Sequence, residues 1–314
     1  MSGNGEPVRH GVARAPVRRR TVVGVACAVA VVGLFSGFTL VSRLGNATGL
    51  SVPDIAALRF FVAGIILLPF FMRYRLKGIG LKEAVLLAAL GGLGFALFAF
   101  SGFSRAPASH GAVFLHGTLP LFTFLIGLHV AREPFQWRKA AGVVIITTGI
   151  AVMAFDTLRG SRLEYLVGDA CLLAASCCWS AYGVLVRRLG IPAVQAASTV
   201  AVFSMIAYVP VYAVFGDPAR LAAHAVEVLV LQAVFQGLFI GVLSIFLYTR
   251  AVVSLGAGRT ALFTAAVPGI TGVGGMVLLN EVPSLEAWVG VAMVSMGMVV
   301  AVVMSRPGGR AVLR

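Results

Sequence analysis

The chain has 314 residues, of which 59% are hydrophobic and only 11% are charged, whereas soluble domains carry about 25% charged residues. A soluble fold of this length cannot hide so much apolar surface, because even about 300 residues bury only about 75% of the surface of the unfolded chain. The net charge of +14 does not indicate nucleic-acid binding, since the basic residues fall in short clusters between long apolar runs and do not form one basic face of a soluble fold.

Ten apolar segments are long enough to cross a bilayer, which takes about 20 residues per helix. The stretches between them are too short for a soluble domain, and a backbone in lipid must satisfy its hydrogen bonds within each segment. We therefore predict an all-α polytopic membrane protein with ten transmembrane helices in contact with the lipid bilayer. The predicted helices cover residues 21–41, 55–72, 84–103, 108–130, 137–155, 167–186, 194–215, 226–248, 257–279 and 285–304.

The distribution of Lys and Arg predicts the orientation, because cytoplasmic loops are enriched in them. With the amino terminus inside the cell, 19 of the 25 Lys and Arg fall in cytosolic segments. We expect a multi-pass protein of a bacterial-type inner membrane, with a disordered basic cytosolic tail at 1–20 and a basic cytosolic tail at 305–314. A cleaved signal peptide is the alternative for the amino-terminal segment, but the run at 21–41 is long enough to span, which favours its retention.

The chain contains an internal repeat. One offset of 148 residues aligns Pro120 with Pro268, Glu133 with Glu281, and Gly142 with Gly290. An offset near 144 aligns residues 35–38 with 179–182, and Arg43 with Arg187. We predict two five-helix repeats, at 21–155 and 167–304, joined by a linker at 156–166. Because five is odd, the second repeat enters from the opposite side, and inverted repeats are typical of transporters with midplane substrate sites. Chance similarity between apolar segments is the alternative.

Both repeats resemble the EamA-type branch of the drug/metabolite transporter superfamily. In the second repeat the resemblance lies in residues 251–259, Pro268, Asn280-Glu281 and Gly290, and in Gly168-Asp169 followed by 179–182; in the first repeat it lies in residues 58–61, Pro120, Glu133 and Gly142. His110 and His116 depart from the small or hydroxyl residues that are usual there. The resemblance covers roughly residues 21–304 and implies a ten-helix transporter with both termini cytosolic and a central cavity between the repeats. It does not name the cargo.

Polar and aromatic side chains within the spans are the candidates for binding a small-molecule substrate, because polar groups in a membrane usually face a bundle interior or a wet cavity. His116 aligns with Thr264 and either contacts substrate or a proton, or makes an interhelical hydrogen bond. Gln232 and Gln236 share one helical face, which either meets substrate or ties helices together. The predicted substrate contacts are His116, Trp179, Tyr182, Gln232, Gln236, Tyr248, Thr264 and Arg59.

Arg59 lies a few residues inside helix 2, where it either snorkels to the outer interface or contacts an anion at the mouth of the cavity. Protons acting through His116 are one candidate for the coupling ion, and uncoupled flow is the other. A second group is assigned to gating or structure, since proline can kink a helix and the two glutamates lie just beyond their helices as loop and cap elements. This group is Pro120, Pro268, Gly142, Gly290, Glu133 and Glu281.

These features predict a secondary transporter, and specifically an exporter, of small metabolites, amino-acid-like compounds or drugs by alternating access. A membrane channel or a membrane-embedded enzyme is the alternative. The chain has no H-E-x-x-H or G-x-S-x-G signature and no phosphate-binding G-x-x-x-x-G-K loop, and its four cysteines lack metal-ligand spacing. We therefore expect no catalytic residues, no metal and no cofactor, and no nucleic-acid partner.

Overall fold

The computed structural model describes residues 17–130, 132–160 and 162–303. Ten helices are long and apolar enough to cross a membrane, and the described residues contain no strand, so the all-α prediction with ten spans is confirmed. The helices are α1 (Val17–Ala47), α2 (Val52–Tyr74), α3 (Leu81–Arg105), α4 (Ala108–His129), α5 (Trp137–Arg159), α6 (Leu163–Leu189), α7 (Ala193–Phe215), α8 (Val226–Leu255), α9 (Ala257–Leu279) and α10 (Leu285–Val303).

Several helices extend beyond the apolar windows that predict them. The first helix continues to Ala47, six residues past the predicted end, and α6 continues to Leu189. The predicted windows stop close to the first charged side chain, but backbone hydrogen bonding continues through the interfacial layer, where Arg is tolerated. The predicted linker at 156–166 is mostly helical for the same reason. Of the two predicted basic tails, only 17–20 is described, as the start of the first helix; the remainder lies outside the described residues.

The helices alternate in direction, because short turns connect them. We call the end of the bundle at which α1 begins the near end, and the end at which α1 finishes the far end. The turns after α4, α6 and α8 therefore lie at the near end, and the turns after α1, α3 and α9 lie at the far end.

Helices that match between the repeats pack against each other in opposite directions. Between α5 and α10, Gly142 faces Ala301, Ile146 faces Gly297, and Met153 faces Gly290. Between α2 and α7, Asp54 meets Tyr212, Phe60 meets Tyr208, and Gly64 meets Met205. Antiparallel packing of matched helices is the geometry expected of an inverted duplication.

Other helix contacts also occur in symmetric pairs, so that each contact has a counterpart between the matched helices of the other repeat. Helix α3 packs on α6 as α8 packs on α1, and α4 packs on α6 as α9 packs on α1. Gly168 lies against Ala106 at the end of α3, and its counterpart Gly24 lies against Ser254 at the end of α8. Both α3 and α8 also contain a π-helical stretch, at Ala89–Gly94 and Ala233–Leu243, which overlap under the 148-residue offset. The two halves thus use the same internal packing.

Candidate functional site

Aromatic side chains from five helices form a continuous row that runs from an exposed tyrosine on α8 into the interior of the bundle. We call this row the aromatic cluster, and its members are Tyr248, Phe35, His116, Phe38, Phe95, Trp179 and Tyr182. Successive ring centroids lie 6.5, 5.9, 6.5, 5.8, 4.7 and 5.2 Å apart in that order. Four of the predicted substrate contacts, on α4, α6 and α8, are therefore brought together.

Three members of the aromatic cluster, Phe35, Phe38 and Phe95, are absent from the predicted contacts. The repeat contains a signal for two of them, because the 144-residue offset matches Phe35 with Trp179 and Phe38 with Tyr182. Each repeat thus contributes an aromatic pair from its first helix to the same cluster. The rings of the cluster pack on one another in the offset and edge contacts that aromatic side chains favour, and Phe35, Trp179 and Tyr182 are half-buried.

Arg59 lies beside the aromatic cluster and is buried, with 8% of its surface exposed. Its guanidinium carbon is 5.4 Å from the ring centre of Phe38 and 5.8 Å from that of Phe95. The alternative in which Arg59 snorkels to the outer interface is therefore wrong, because its guanidinium lies against Phe38 on α1 and Phe95 on α3. Its Nη1 has no hydrogen-bond partner within the part of the chain that is described.

His116 is buried against Phe35 on α1, and its Nδ1 also lacks a hydrogen-bond partner among the described residues. Its counterpart Thr264 is half-buried and donates its hydroxyl to the carbonyl of Ala261 in its own helix, at 2.8 Å. The two matched positions therefore differ in burial and in bonding. Only His116 contributes to the aromatic cluster.

The two glutamines of α8 tie that helix to α1. Gln232 donates its Nε2 to the carbonyl oxygen of Val41 at 2.6 Å, and Gln236 donates its Nε2 to the hydroxyl of Ser42 at 3.0 Å. Both side chains are fully buried. These bonds favour the helix-tying alternative, and a contact of either glutamine with substrate stays a prediction.

Helices 4 and 9 break at matching places. At Thr118 the backbone leaves helical geometry with ψ of −6°, two residues before Pro120, and Ala266 does the same with ψ of −15°, two residues before Pro268. Each proline then occupies the first turn of the following helical segment, where its missing N–H costs little. Both prolines thus divide the helices that carry His116 and Thr264.

Gly142 and Gly290 allow α5 and α10 to approach closely. A Cβ at Gly142 would lie 2.6 Å from the backbone nitrogen of Ala301, and one at Gly290 would meet Met153 and the carbonyl of Gly149. Small residues at helix contacts in membranes permit this backbone approach. These two glycines therefore hold the matched helices together.

Glu133 and Glu281 follow identical turns at opposite ends of the bundle. Each glutamate donates its N–H to a glycine carbonyl six residues earlier, Gly127 at 3.0 Å and Gly275 at 3.1 Å. The residue before each one, Arg132 or Asn280, has a φ of 53°, the left-handed conformation that ends many helices. The turns thus deliver two carboxylates to symmetry-related positions, and each faces the matched arginine of the other repeat.

The far-end ion pair is tightly bonded. Glu281 Oε1 accepts hydrogen bonds from Nε of Arg43 at 2.5 Å and from its Nη2, and Oε2 accepts one from the N–H of Ala108 at 2.7 Å. Arg43 also donates to the carbonyl oxygens of Phe103, at 2.7 Å, and Ala106. The side chains of the pair are 21% and 18% exposed. This network joins α1, the turn between α3 and α4, and the end of α9.

The near-end ion pair is loose. Glu133 lies 3.5 Å from Arg187, and the side chains are 45% and 56% exposed. Gly256, the counterpart of Ala108, donates its N–H to Val252 in its own helix and not to Glu133. The turn between α8 and α9 therefore does not make the backbone-to-glutamate hydrogen bond that Ala108 makes with Glu281 in the turn between α3 and α4.

A second difference between the two ends lies along α1, α4, α6 and α9. An apolar groove of about 380 Å³ lies between α1 and α9 in the near half of the bundle, lined by Val29, Val32, Leu262, Phe263, Ala266 and Ile270. The counterparts of four of these residues in the far half, Ser176, Phe114, Leu115 and Thr118, are buried. Val32 is buried like its counterpart Ser176, whereas Leu262, Ala266 and Ile270 on α9 are exposed, so the difference between the two halves lies on the α9 side of the groove.

Two buried polar contacts lie near the far end, and the sequence did not predict either of them. His110 Nδ1 lies 2.9 Å from Oδ1 of Asp169 and so links α4 to α6. The hydroxyl of Tyr212 donates to Oδ1 of Asp54 at 2.6 Å, and Arg220 bonds its other oxygen at 3.1 Å. In each contact the partners are far apart in sequence, so no local pattern indicates them.

Comparison with known proteins agrees with this architecture. Residues 22–155 and 166–303 each match the EamA-like transporter family. A crystal structure with 21% sequence identity has the same fold, with a TM-score of 0.59, and the alignment covers 92% of this chain and 99% of the other. The two family matches coincide with the two halves of the helix bundle.

Two curated relatives are named as transporters. "Uncharacterized transporter YyaM" of Bacillus subtilis is 24% identical over 194 residues, which are 60% of this chain and 62% of that protein. "Probable biotin transporter" of Pseudomonas aeruginosa is 29% identical over 153 residues, which are 45% of this chain and 52% of that protein. The chain thus spans between about half and three fifths of the length of these relatives. With both halves matched and ten spans observed, the chain is a multi-pass membrane protein that belongs to the EamA-like transporter family.

Proposed function

We propose that this protein is a secondary transporter that moves small metabolites, amino-acid-like compounds or drugs by alternating access between two inverted repeats. The observation that carries the proposal is the unequal state of the two symmetry-related ends. Glu281 and Arg43 are bonded into the turn before α4, whereas Glu133 and Arg187 are 3.5 Å apart and exposed. A duplicated unit with opposite polarity can exchange these two states, because each repeat holds the local geometry that the other repeat adopts.

The path between the two states is provided by helices 4 and 9. The first residues of α4, Ala108 to His110, are buried under the far-end network, whereas the first residues of α9, Ala257 to Arg259, are exposed. The backbone breaks before Pro120 and Pro268 allow each half-helix to tilt about a fixed centre. Closing the near end by the same contacts would bury the start of α9 and release the start of α4.

We further propose that the near end is cytosolic, that both termini lie there, and that net movement is outward across an inner membrane. The near end carries most of the Lys and Arg of the connecting turns, as cytoplasmic loops do. A bundle open at that end admits cargo from the cytosol, which is the loading state of an exporter. Protons are the coupling ion that we propose to test first, because His116 is a buried titratable group in the aromatic cluster.

The test is flux into proteoliposomes that contain the purified full chain. Radiolabelled biotin, tryptophan and indole-3-acetate are offered outside vesicles that are loaded with unlabelled compound or left empty; biotin is included because one relative is named as a probable biotin transporter. A carrier gives saturable uptake that rises with internal substrate. Linear flux that ignores internal substrate would indicate a channel and contradict the proposal, and vesicles without protein provide the leak control.

The two repeats can be tested separately within the same assay. Cysteines at Arg43 and Glu281 allow a reducible crosslinker to hold the far end closed, and cysteines at Glu133 and Arg187 allow it to hold the near end closed. We expect either crosslink to stop uptake and reductant to restore it. Full uptake through a protein that is crosslinked at one end would contradict alternating access.

A further inference from the structure

We propose that Arg59 binds the anionic group of the cargo, so that the central site takes organic anions with a flat apolar body. This inference rests on the proposed transport function and names its substrate class. It is carried by the position of a buried, unpartnered guanidinium beside the aromatic cluster.

Arg59 lies inside the bundle, about a third of the way along α2 from the far end. It is seven residues inside α2, which begins at Val52, or about 10 Å along a helix that rises 1.5 Å per residue. The far-end network of Arg43 and Glu281 closes the bundle on that side. The guanidinium faces Phe38 and Phe95 of the aromatic cluster, and His116 contacts the same Phe38 ring.

No carboxylate of the described residues neutralises Arg59. Asp54 on the same helix is bonded by Tyr212 and Arg220, and Asp169 is paired with His110. No described carboxylate oxygen lies within 4 Å of the Arg59 nitrogens, and Nη1 has no hydrogen-bond partner among the described atoms. An arginine is always charged in a protein.

A buried charge without a counter-charge is costly, and in membrane proteins such groups mark substrate or ion paths. The two aromatic rings beside Arg59 offset part of that cost by cation–π contact, but they leave its N–H groups unbonded. A carboxylate or similar anion would accept those N–H groups in the two-pronged geometry that guanidinium favours. The missing counter-charge therefore points to the cargo.

The surroundings of Arg59 also indicate the body of the cargo. Trp179 lies 4.7 Å from Phe95 and 5.2 Å from Tyr182; Phe95 is buried, and Trp179 and Tyr182 are half-buried. Together they offer faces on which a flat ring can stack. The unpartnered Nδ1 of His116 supplies a second polar contact, so an anionic group at one end and a polar group at the other would both be bonded.

The alternative is that Arg59 only packs between two rings. Binding of matched acids and amides to the purified full chain in lipid nanodiscs distinguishes the two ideas. The probes are phenylacetate, indole-3-acetate and biotin, each measured beside its own carboxamide by isothermal titration. We expect the acids to bind at least about tenfold more tightly than their amides.

The variants separate charge from packing. In Arg59→Gln we expect acid binding to weaken by at least about thirtyfold, as when one partner of a buried charge pair is removed, while amide binding changes by less than about threefold. Arg59→Lys retains the charge and should keep the preference for acids. Arg73→Gln, at the exposed end of the same helix, is the matched control and should leave binding unchanged.

Three outcomes would overturn the inference: equal binding of acids and amides to the wild-type protein, no binding of any acid, or an acid preference that survives in Arg59→Gln. If that variant fails to fold, the wild-type comparison and Arg59→Lys still decide. Acid binding without counterflow in proteoliposomes would instead contradict the transport function and leave the anion site standing. Counterflow of neutral compounds without a preference for acids would contradict the anion site and leave the transport function standing.

Discussion

Replacing Glu281 with glutamine should open the far end of the bundle. The carboxylate accepts hydrogen bonds from two nitrogens of Arg43 through one oxygen and from the N–H of Ala108 through the other. Glutamine keeps one acceptor but loses the charge and places an amide where an acceptor is needed. In the proposed alternating-access cycle the far-end network belongs to the closed state, so we expect its loss to act on the equilibrium between the two ends.

The size of the effect follows from the burial of the pair. Both side chains are only about one fifth exposed, and hydrogen bonds to charged groups contribute about 1.5–3 kcal/mol each. Taking about 2 kcal/mol as the net loss, the population of the far-open state should rise about thirtyfold. At the near end the matched pair is loose and about half exposed, and such pairs contribute about 1 kcal/mol or less.

The assay uses a single cysteine at Ser109, which is buried in the first turn of α4, after the native cysteines have been replaced by alanine. A membrane-impermeant maleimide reaches this position only when the far end opens, so the labelling rate follows the open population. We expect labelling to rise about thirtyfold in Glu281→Gln and not to rise in the control Glu133→Gln, because the near-end pair stabilises the opposite state. Equal rates in both variants, or no rise in the first, would refute the role of this pair in closing the far end.

Three further predictions concern stability, each read from the apparent melting temperature of detergent-purified protein. Gly142→Leu should lower the free energy of unfolding by about 1–3 kcal/mol, because the larger side chain overpacks against Ala301. Gly33→Leu meets open space and should melt at the same temperature as the wild type. Equal melting temperatures of the two variants would contradict the close packing at Gly142. Asp169→Ala should lower the free energy of unfolding by about 3 kcal/mol because it leaves His110 buried without its partner. Asp169→Asn should lower it less, because asparagine can still form a hydrogen bond with the imidazole ring of His110. Gln232→Leu should cost about 1 kcal/mol by removing the bond to Val41; normal stability with weakened substrate binding would instead assign this residue to the cargo.

The helix count and the duplication could be read from the sequence because both follow from strong constraints. Lipid requires about 20 apolar residues per span, and the duplication has left Pro120, Gly142 and Glu133 with matched counterparts at one offset. The sequence also singles out the aromatic pair of α6, which the structure places in the aromatic cluster. Its counterpart, Phe35 and Phe38, was overlooked because phenylalanine in an apolar run looks like ordinary packing.

The surroundings of individual polar groups could not be read in the same way. The position of Arg59 along α2 is evident from the sequence, but its burial depends on α1 and α3, which meet that face only in the folded bundle. His110 and Asp169 are 59 residues apart, so their contact depends on how α4 packs on α6. The difference between the two ends is also invisible in the sequence, since both repeats carry the same arginine and glutamate, and a conformational state decides which pair is bonded.

The most direct test of the account measures the distances across both ends of the bundle by pulsed electron–electron double resonance. Spin labels at His129 and Ala257 report on the near end, and labels at Arg105 and Val277 report on the far end; all four positions are exposed. We expect Glu281→Gln to lengthen the far-end distance and to shorten the near-end distance in the same proportion of molecules. A far end that opens while the near-end distance stays unchanged would contradict alternating access between two coupled repeats.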